Sequence, residues 1–478
     1  MMQNEEKIVQ LNKKMEQRMD VLCDKYDGHM QVLESSLLSK AKGGLEIYDY
    51  VALGEQLERW DEYKEFCEEE GNLNQLGKLP NIAHSVITVA HGTAIHNILA
   101  AVQPVAEERG LIYFEQVRAG TTKGNNTSGD VLIDPRTGLK TSKGFASSSI
   151  EAEVLATFAT GTPSYTATPA VTPIRSQTLK VYVAGTEFAA EDIGPAENGD
   201  KNIGRIWGNK LSGQINYATG AITITFAAEP ANGSLVLIDY QQNYEKATDL
   251  PQIEFFLDSK QIQADIYALK AVTSMLKNFA IRKRFGMSAE QDLSRKLIQE
   301  INRELGGKLV GKLFGAQQGN TIFDKTPPAA VSYIDHKQTL VDKVADAEAV
   351  MVGNAGRGNI THMAVGRELA AVISTLPNFN KLSDGTQIGS HIFGTWDGKV
   401  IVRVNEQAVL DSKKAVCIYK GASPFEAAAV YSPYMPLAIT GTLPLSPNPL
   451  TDQKAAAVWA GMDVVMENYI TGLEMTIS

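Results

Sequence analysis

The feature that most constrains the fold is a change of hydrophobic period along the chain. Ile8, Leu11, Met15, Met19, Leu22, Tyr26, Met30, Leu33 and Leu37 recur at steps of three or four. That spacing places them on one stripe of a helix. Leu293, Leu297, Ile301, Leu305, Leu309 and Leu313 step by four, which predicts a second, longer-spined helix over 288–316. Between these stretches the period falls to two. Leu179-Lys-Val-Tyr-Val183, Gln214-Ile-Asn-Tyr217, Ala221-Ile-Thr-Ile-Thr-Phe226 and Ser234-Leu-Val-Leu-Ile238 alternate as strands do, and Ala218-Thr219-Gly220 supplies a hairpin turn. A chain with both periods in separate blocks is neither all-α nor all-β. The expected fold class is α+β with an inserted all-β module, sandwich-like, at 176–245.

Gly43-Gly44 is expected to end the first helix, predicted over 4–42, and a second acidic helix is expected over 48–70. Residues 119–175 are rich in Gly, Ser, Thr, Asn and Pro and read as a long excursion. Further helices are expected at 272–281, 337–350 and 368–374. Strands are expected at 111–117, 361–365, 399–404 and 414–418, with strand-like runs at 457–467 and 474–477.

Composition removes several classes. Of 478 residues, 44% are hydrophobic and 21% charged, too apolar for a disordered chain. No run of 18 apolar residues is present to cross a membrane as a helix, and Met1 to Lys14 holds no apolar core of a secretory signal. Cys23, Cys67 and Cys417 are odd in number and widely spaced, which argues for a reducing compartment and against a disulfide framework. Net charge is −10, and residues 1–77 carry 17 Asp+Glu against 9 Lys+Arg. The rest of the chain is therefore close to neutral and lacks the basic stripe of a nucleic-acid binder. The two N-terminal helices are either surface helices of a core or an extended, partner-binding arm. Their charge and narrow stripe favour the arm.

Catalytic and metal chemistry find no support in spacing. His91 and His96 are five apart, not on one helical face, and His84 stands two turns before His91 with no cysteine near. Gly353-Asn-Ala-Gly-Arg-Gly358 lacks the Lys-Ser/Thr of a phosphate loop, and Gly421-Ala-Ser-Pro424 is no nucleophile elbow. The expectation is no enzyme, no cofactor and no metal. Lys277, Arg282, Lys283 and Arg284 form the one dense basic cluster. They are candidate inter-subunit contacts, with Glu68, Glu69 and Glu70 of the acidic segment as candidate counterparts.

Three separated segments resemble a known family. Gln103-Pro104 followed by Gly110-Leu-Ile-Tyr-Phe114 is similar to an early strand of the T-even-type major capsid proteins of tailed phages. Ala268-Leu-Lys270, Gly286-Met-Ser-Ala-Glu-Gln-Asp-Leu293 and Glu300-Ile-Asn-Arg-Glu304 resemble that family's spine-helix region. Ile418-Tyr-Lys-Gly421 and Ala429-Val-Tyr-Ser-Pro-Tyr-Met-Pro-Leu437 resemble a later segment. The resemblance implies the Hong Kong-type capsid fold. It divides the chain into an N-terminal arm (1–77), the start of a peripheral domain (78–118), an extended-loop region (119–251) and the peripheral domain with its spine helix (252–336). An axial domain (337–445) and returning C-terminal strands (446–478) complete it.

The same resemblance implies a virion subunit assembled in the host bacterial cytoplasm. Its partners would be many copies of itself as hexamers, with vertex, portal, scaffolding and decoration proteins. Packaged double-stranded DNA would lie on the inner face, with no membrane. It also implies maturation cleavage, for which Leu53-Gly54-Glu55 fits the short pattern. The competing readings are a tail-sheath protein and an adhesin that uses the β module to bind glycans.

Overall fold

The computed structural model describes residues 2–69, 80–123, 126–134, 138–139, 145–161, 163–195, 199–248, 250–285, 289–356, 358–383, 389–421, 423, 425–440, 443–445 and 448–477. They fall into two compact units. The smaller comprises Val117–Ile133 and Lys140–Phe256, and the larger Met2–Gln116, Asp134–Leu139 and Leu257–Ser478.

The larger unit begins with helices α1 (Met2–Glu34), α2 (Leu37–Lys42), α3 (Ile47–Glu69), α4 (Pro80–Thr93) and α5 (Ile95–Leu99). The single helix expected over 4–42 is therefore two. Tyr26 leaves helical geometry at φ −124° and ψ 31°, and Ser36 starts α2 by accepting a hydrogen bond from the Ser39 amide. Gly43, at φ 75°, closes α2 in the left-handed conformation that the Gly-Gly pair suggested. The packing corrects the extended form expected of the arm. Leu22, Tyr26, Met30 and Leu33 are buried in the same core as Leu53, Leu57 and Trp60 of α3 and Ile87 of α4. The narrow stripe suffices because Gly54 carries no side chain where α3 meets Leu22. A Cβ there would lie 2.8 Å from the leucine, so the helices approach closely.

Strands β1 (Ala101–Val102) and β2 (Arg109–Ala119) follow, then β3 (Val131–Asp134) and β4 (Gly138–Leu139). The smaller unit contains β5 (Ser149–Thr157), β6 (Ser164–Ala167), β7 (Lys180–Val183), β8 (Ala189–Pro195), β9 (Ile203–Asn209), β10 (Leu211–Asn216), β11 (Ile222–Phe226) and β12 (Leu235–Gln241). These eight form one sheet in the order β5-β12-β7-β8-β9-β10-β11-β6. The expected hairpin is present, with Ile215 opposite Ile222. The module is larger than 176–245, because β5 and β6 lie in the stretch expected to be an excursion. It is also one continuous sheet rather than two faced layers. Val181, Val183, Ile206, Ile215, Ile224, Val236 and Ile238 from across the sheet meet in a single cluster, so the sheet curls around its own core.

The larger unit resumes at Leu257, within β13 (Ile253–Gln263), and continues with β14 (Asp265–Ser274), α6 (Met275–Phe285) and α7 (Ala289–Gly315). The helix expected from Val272 begins at Met275. Val272 and Thr273 extend β14 instead, opposite Gln453 and Asp452. The leucine stripe of α7 is buried from Leu297 to Leu313. Ser288, expected as its N-cap, lies outside the described residues.

Next come β15 (Asn320–Asp324), α8 (Tyr333–His336), α9 (Thr339–Ala355), β16 (His362–Gly366), α10 (Arg367–Ile373), β17 (Phe379–Lys381), β18 (His391–Trp396), β19 (Lys399–Val404) and β20 (Lys414–Ile418). The chain continues through β21 (Ala429–Ile439), β22 (Leu443–Leu445), β23 (Asn448–Val464) and β24 (Ile470–Thr476). A seven-stranded sheet runs β15-β24-β20-β16-β19-β18-β17, and a second sheet runs β1-β21-β23-β14 with β22 on β23. Every residue of β16 is buried, as expected for a central strand covered on both faces.

Candidate functional site

The basic cluster sits on α6. Lys277, Arg282, Lys283 and Arg284 are all exposed. Arg282, Lys283 and Arg284 occupy the last turn, where a cation opposes the negative end of the helix dipole. The same helix exposes Leu276 (70%) and Phe279 (66%), with the Lys283 ammonium 5.7 Å from the Phe279 ring centre.

The acidic counterparts sit at the end of α3. Of the expected Glu68, Glu69 and Glu70, Glu68 is exposed there, and Glu62, Glu65 and Phe66 (57%) of the same helix, which the sequence reading did not single out, are exposed as well. Lys64 lies 3.8 Å from Glu68. Glu70 and the Glu69 side chain lie outside the described residues. Among the described residues no ion pair joins the two clusters within the chain, so the structure does not bring them together in one copy.

Leu53-Gly54-Glu55 lies inside α3. Leu53 is fully buried, Gly54 abuts Leu22, and burial raises the Glu55 carboxyl above its ordinary range against the pull of Arg59 and Arg18. A protease needs the scissile segment extended in its cleft. In this conformation the pattern is closed to one.

The densest polar chemistry is one that sequence spacing did not reveal. Lys420, just after β20, is half-buried and donates to the carbonyls of Asn97 (2.9 Å), Ile98 (3.1 Å) and Ala100 (2.6 Å). It thus caps the open carbonyls at the end of α5. Burial, with Lys42 nearby, pushes its pKa down to about 7. The Lys42 ammonium lies 2.7 Å from both Asp49 oxygens, and these residues line a small cleft with Lys420, Glu46 and Tyr48. His91, His96 and His362 are buried close by in the same unit, and desolvation lowers His91 to about 4 and His96 to about 3. Arg59 on α3 reaches the carbonyls of Val105, Pro433 (3.1 Å) and Tyr434 (2.9 Å). Lys420 thereby ties the segment after β20 to α5, and Arg59 ties α3 to β21, while the buried His91 Nδ1, His96 Nδ1 and His362 Nε2 find no hydrogen-bond partner among the described residues.

The Cys417 thiol is fully buried and burial pushes it up to about 12, away from the thiolate. Among the described residues no group of three or more His, Cys, Asp or Glu side chains is placed to hold a metal ion. No described helix is long and apolar enough to cross a membrane.

The chain is similar to proteins of phage heads. It is 25% identical over 254 residues to the major capsid proteins of Enterobacteria phage T6 and Enterobacteria phage T4. The aligned part is 48% of this chain and 50% and 48% of those proteins, so the chain spans about half the length of the curated relatives it matches. The solved capsid of jumbo bacteriophage PhiKZ aligns at a TM-score of 0.40 and 10% identity, covering 80% of this chain and 92% of that chain. A family model described as "Major capsid protein Gp23" matches residues 78–470, a stretch that takes in α7 and the whole of the smaller unit's eight-stranded sheet. By that match, the chain belongs to the Gp23 major capsid protein family.

Proposed function

We propose that this chain is the major head subunit of a tailed double-stranded DNA phage and self-assembles into an icosahedral or elongated shell around the genome. The observation that carries the reading is the family match over 78–470. The protein acts in the virion and is assembled in the host cytoplasm. Its partners are hexamer-forming copies of itself, with vertex, portal, scaffolding and decoration proteins and the packaged DNA. A near-neutral body suits a container, since a basic lining would grip DNA by releasing its counterions.

The domain reading goes with it. Residues 252–336 with α7 form most of the peripheral domain, 337–445 the axial domain, and the β module an insertion in the extended-loop region. Cleavage after Glu55 would require α3 to leave the core first.

Negative-stain electron microscopy of the purified full chain, with sedimentation in parallel, tests this. Closed shells or sheets of six-fold rings are expected. Helical tubes would favour a tail sheath, and small soluble oligomers that bind glycans would favour an adhesin.

A further inference from the structure

Two surfaces of the larger unit carry opposite halves of one pattern. On α6, Leu276 and Phe279 stand in solvent beside Lys277, Arg282, Lys283 and Arg284. On the last turns of α3, Phe66 stands in solvent beside Glu62, Glu65 and Glu68. Each surface is an exposed phenyl ring set among charges of one prevailing sign, positive on α6 and negative on α3, where Lys64 offsets one of the three carboxylates.

The α3 half is the more telling. Helix ends of this polarity carry a negative partial charge, so carboxylates there are disfavoured by the helix itself. No basic residue occupies the last turn of α3. Glu68 in that turn is placed against the local electrostatics and has Lys64 at 3.8 Å, while Glu62 and Glu65 have no ion-pair partner among the described residues, an arrangement stabilised when further cations are brought from outside. On α6 the cations already suit their helix, but its apolar side chains gain only by being covered. A contact between the two surfaces answers both needs at once.

We propose that the α3 end of one copy docks on α6 of a second copy. This rests on the shell reading above and names a pair of surfaces through which it would work. Since the two surfaces differ, the contact is heterologous. It repeats head to tail and closes into rings when the rotation allows. Charge fixes the register and excludes α3-to-α3 and α6-to-α6 pairing, while the rings supply the apolar contact.

The test uses two full-length variants. One carries Lys277→Glu, Arg282→Glu, Lys283→Glu and Arg284→Glu, and the other Glu62→Lys, Glu65→Lys and Glu68→Lys. All seven positions are exposed, and circular dichroism checks that both variants fold. Each alone should need at least about tenfold more protein than wild type for half-assembly. An equal mixture should recover most of that loss, because every contact is again complementary when the two alternate. Wild-type assembly should also weaken with salt.

Variants that assemble like wild type, or a mixture no better than its parts, would remove the docking and leave the shell reading intact. A wild-type chain that forms no rings or shells would remove the shell reading, and the docking with it. A second measurement does not depend on the variants. Carbodiimide cross-linking of mixed light and heavy isotope-labelled wild type should join Glu68 or Glu65 of one copy to Lys283 or Lys277 of another. Assembled material lacking every such link would overturn the proposal.

Discussion

The Lys420 ammonium donates to the Ala100 carbonyl at 2.6 Å across 320 residues of sequence. With the Asn97 and Ile98 carbonyls it forms a three-fold cap that ties the start of the body to the segment after β20. Replacing it by a neutral side chain leaves three carbonyls facing a buried space. Lys420→Met is expected to lower unfolding free energy by roughly 3 kcal/mol. Urea unfolding of wild type and variant at pH 7 measures it; an unchanged midpoint would refute the cap.

The same lysine sets an alkaline signature. Its folded pKa is depressed to about 7 by burial, below the roughly 10.4 of an unfolded lysine. Between those values the unfolded chain holds the extra proton. Its contribution to stability therefore rises with pH across this window. Unfolding midpoints at pH 7 and 9 should separate wild type from Lys420→Met, with only wild type gaining from Lys420.

Acid should act through the buried histidines. Burial depresses His91 to about 4, His96 to about 3 and His362 well below its ordinary value. Below about 6.5 the unfolded chain takes up protons that the folded chain refuses, so stability present above that pH is lost as pH falls toward 4. His96→Phe should flatten the decline between pH 6.5 and 4.5, relative to its own value at pH 7.5. An unchanged slope would show that His96 is not the titrating group.

Glutamyl endopeptidase should find the Glu68 bond well before the Glu55 bond. Glu68 is exposed at the end of α3, whereas Leu53 is fully buried and Gly54 packs on Leu22. Gly54→Val forces a side chain into that contact and should cost about 1–3 kcal/mol. It should also speed cleavage after Glu55, read by mass spectrometry of early fragments. Equal rates at the two bonds in wild type would contradict the packing.

In the smaller unit, the Tyr217 hydroxyl lies 2.8 Å from both Asp192 oxygens, and the buried carboxylate also accepts from the Gln177 (2.7 Å) and Gly194 (2.9 Å) amides. Removing one donor of a buried, charged network costs about 1–3 kcal/mol. Tyr217→Phe should lower the module's unfolding midpoint and leave signals of the larger unit unmoved. A shift in both would mean the two unfold together.

Periodic segments were legible in sequence, and segments set by tertiary partners were not. The leucine stripe of α7 announced itself because one face is buried along its length. β5 and β6 did not: their Ser, Thr, Glu and Ala residues lie largely exposed, and only pairing with β12 and β11 makes them strands. The α1 stripe was readable, but its fate was decided by Gly54, a residue that marks a close approach only once its neighbour is known. The Lys277 and Arg282–Arg284 cluster could be found by charge alone. The Lys420 cap could not, since no local spacing links it to α5. The Ile418-to-Gly421 segment drew notice for its resemblance, while the reason for its lysine came from the fold.

The eight-stranded sheet has one further consequence. Its first and last strands in sequence are paired neighbours, with Ser149 opposite Gln241. A segment that leaves and returns through the same ladder can be exchanged for a short turn or a foreign domain whose termini lie equally close. The chain thus contains a replaceable cassette with a fixed socket, a natural position for grafting cargo onto the subunit.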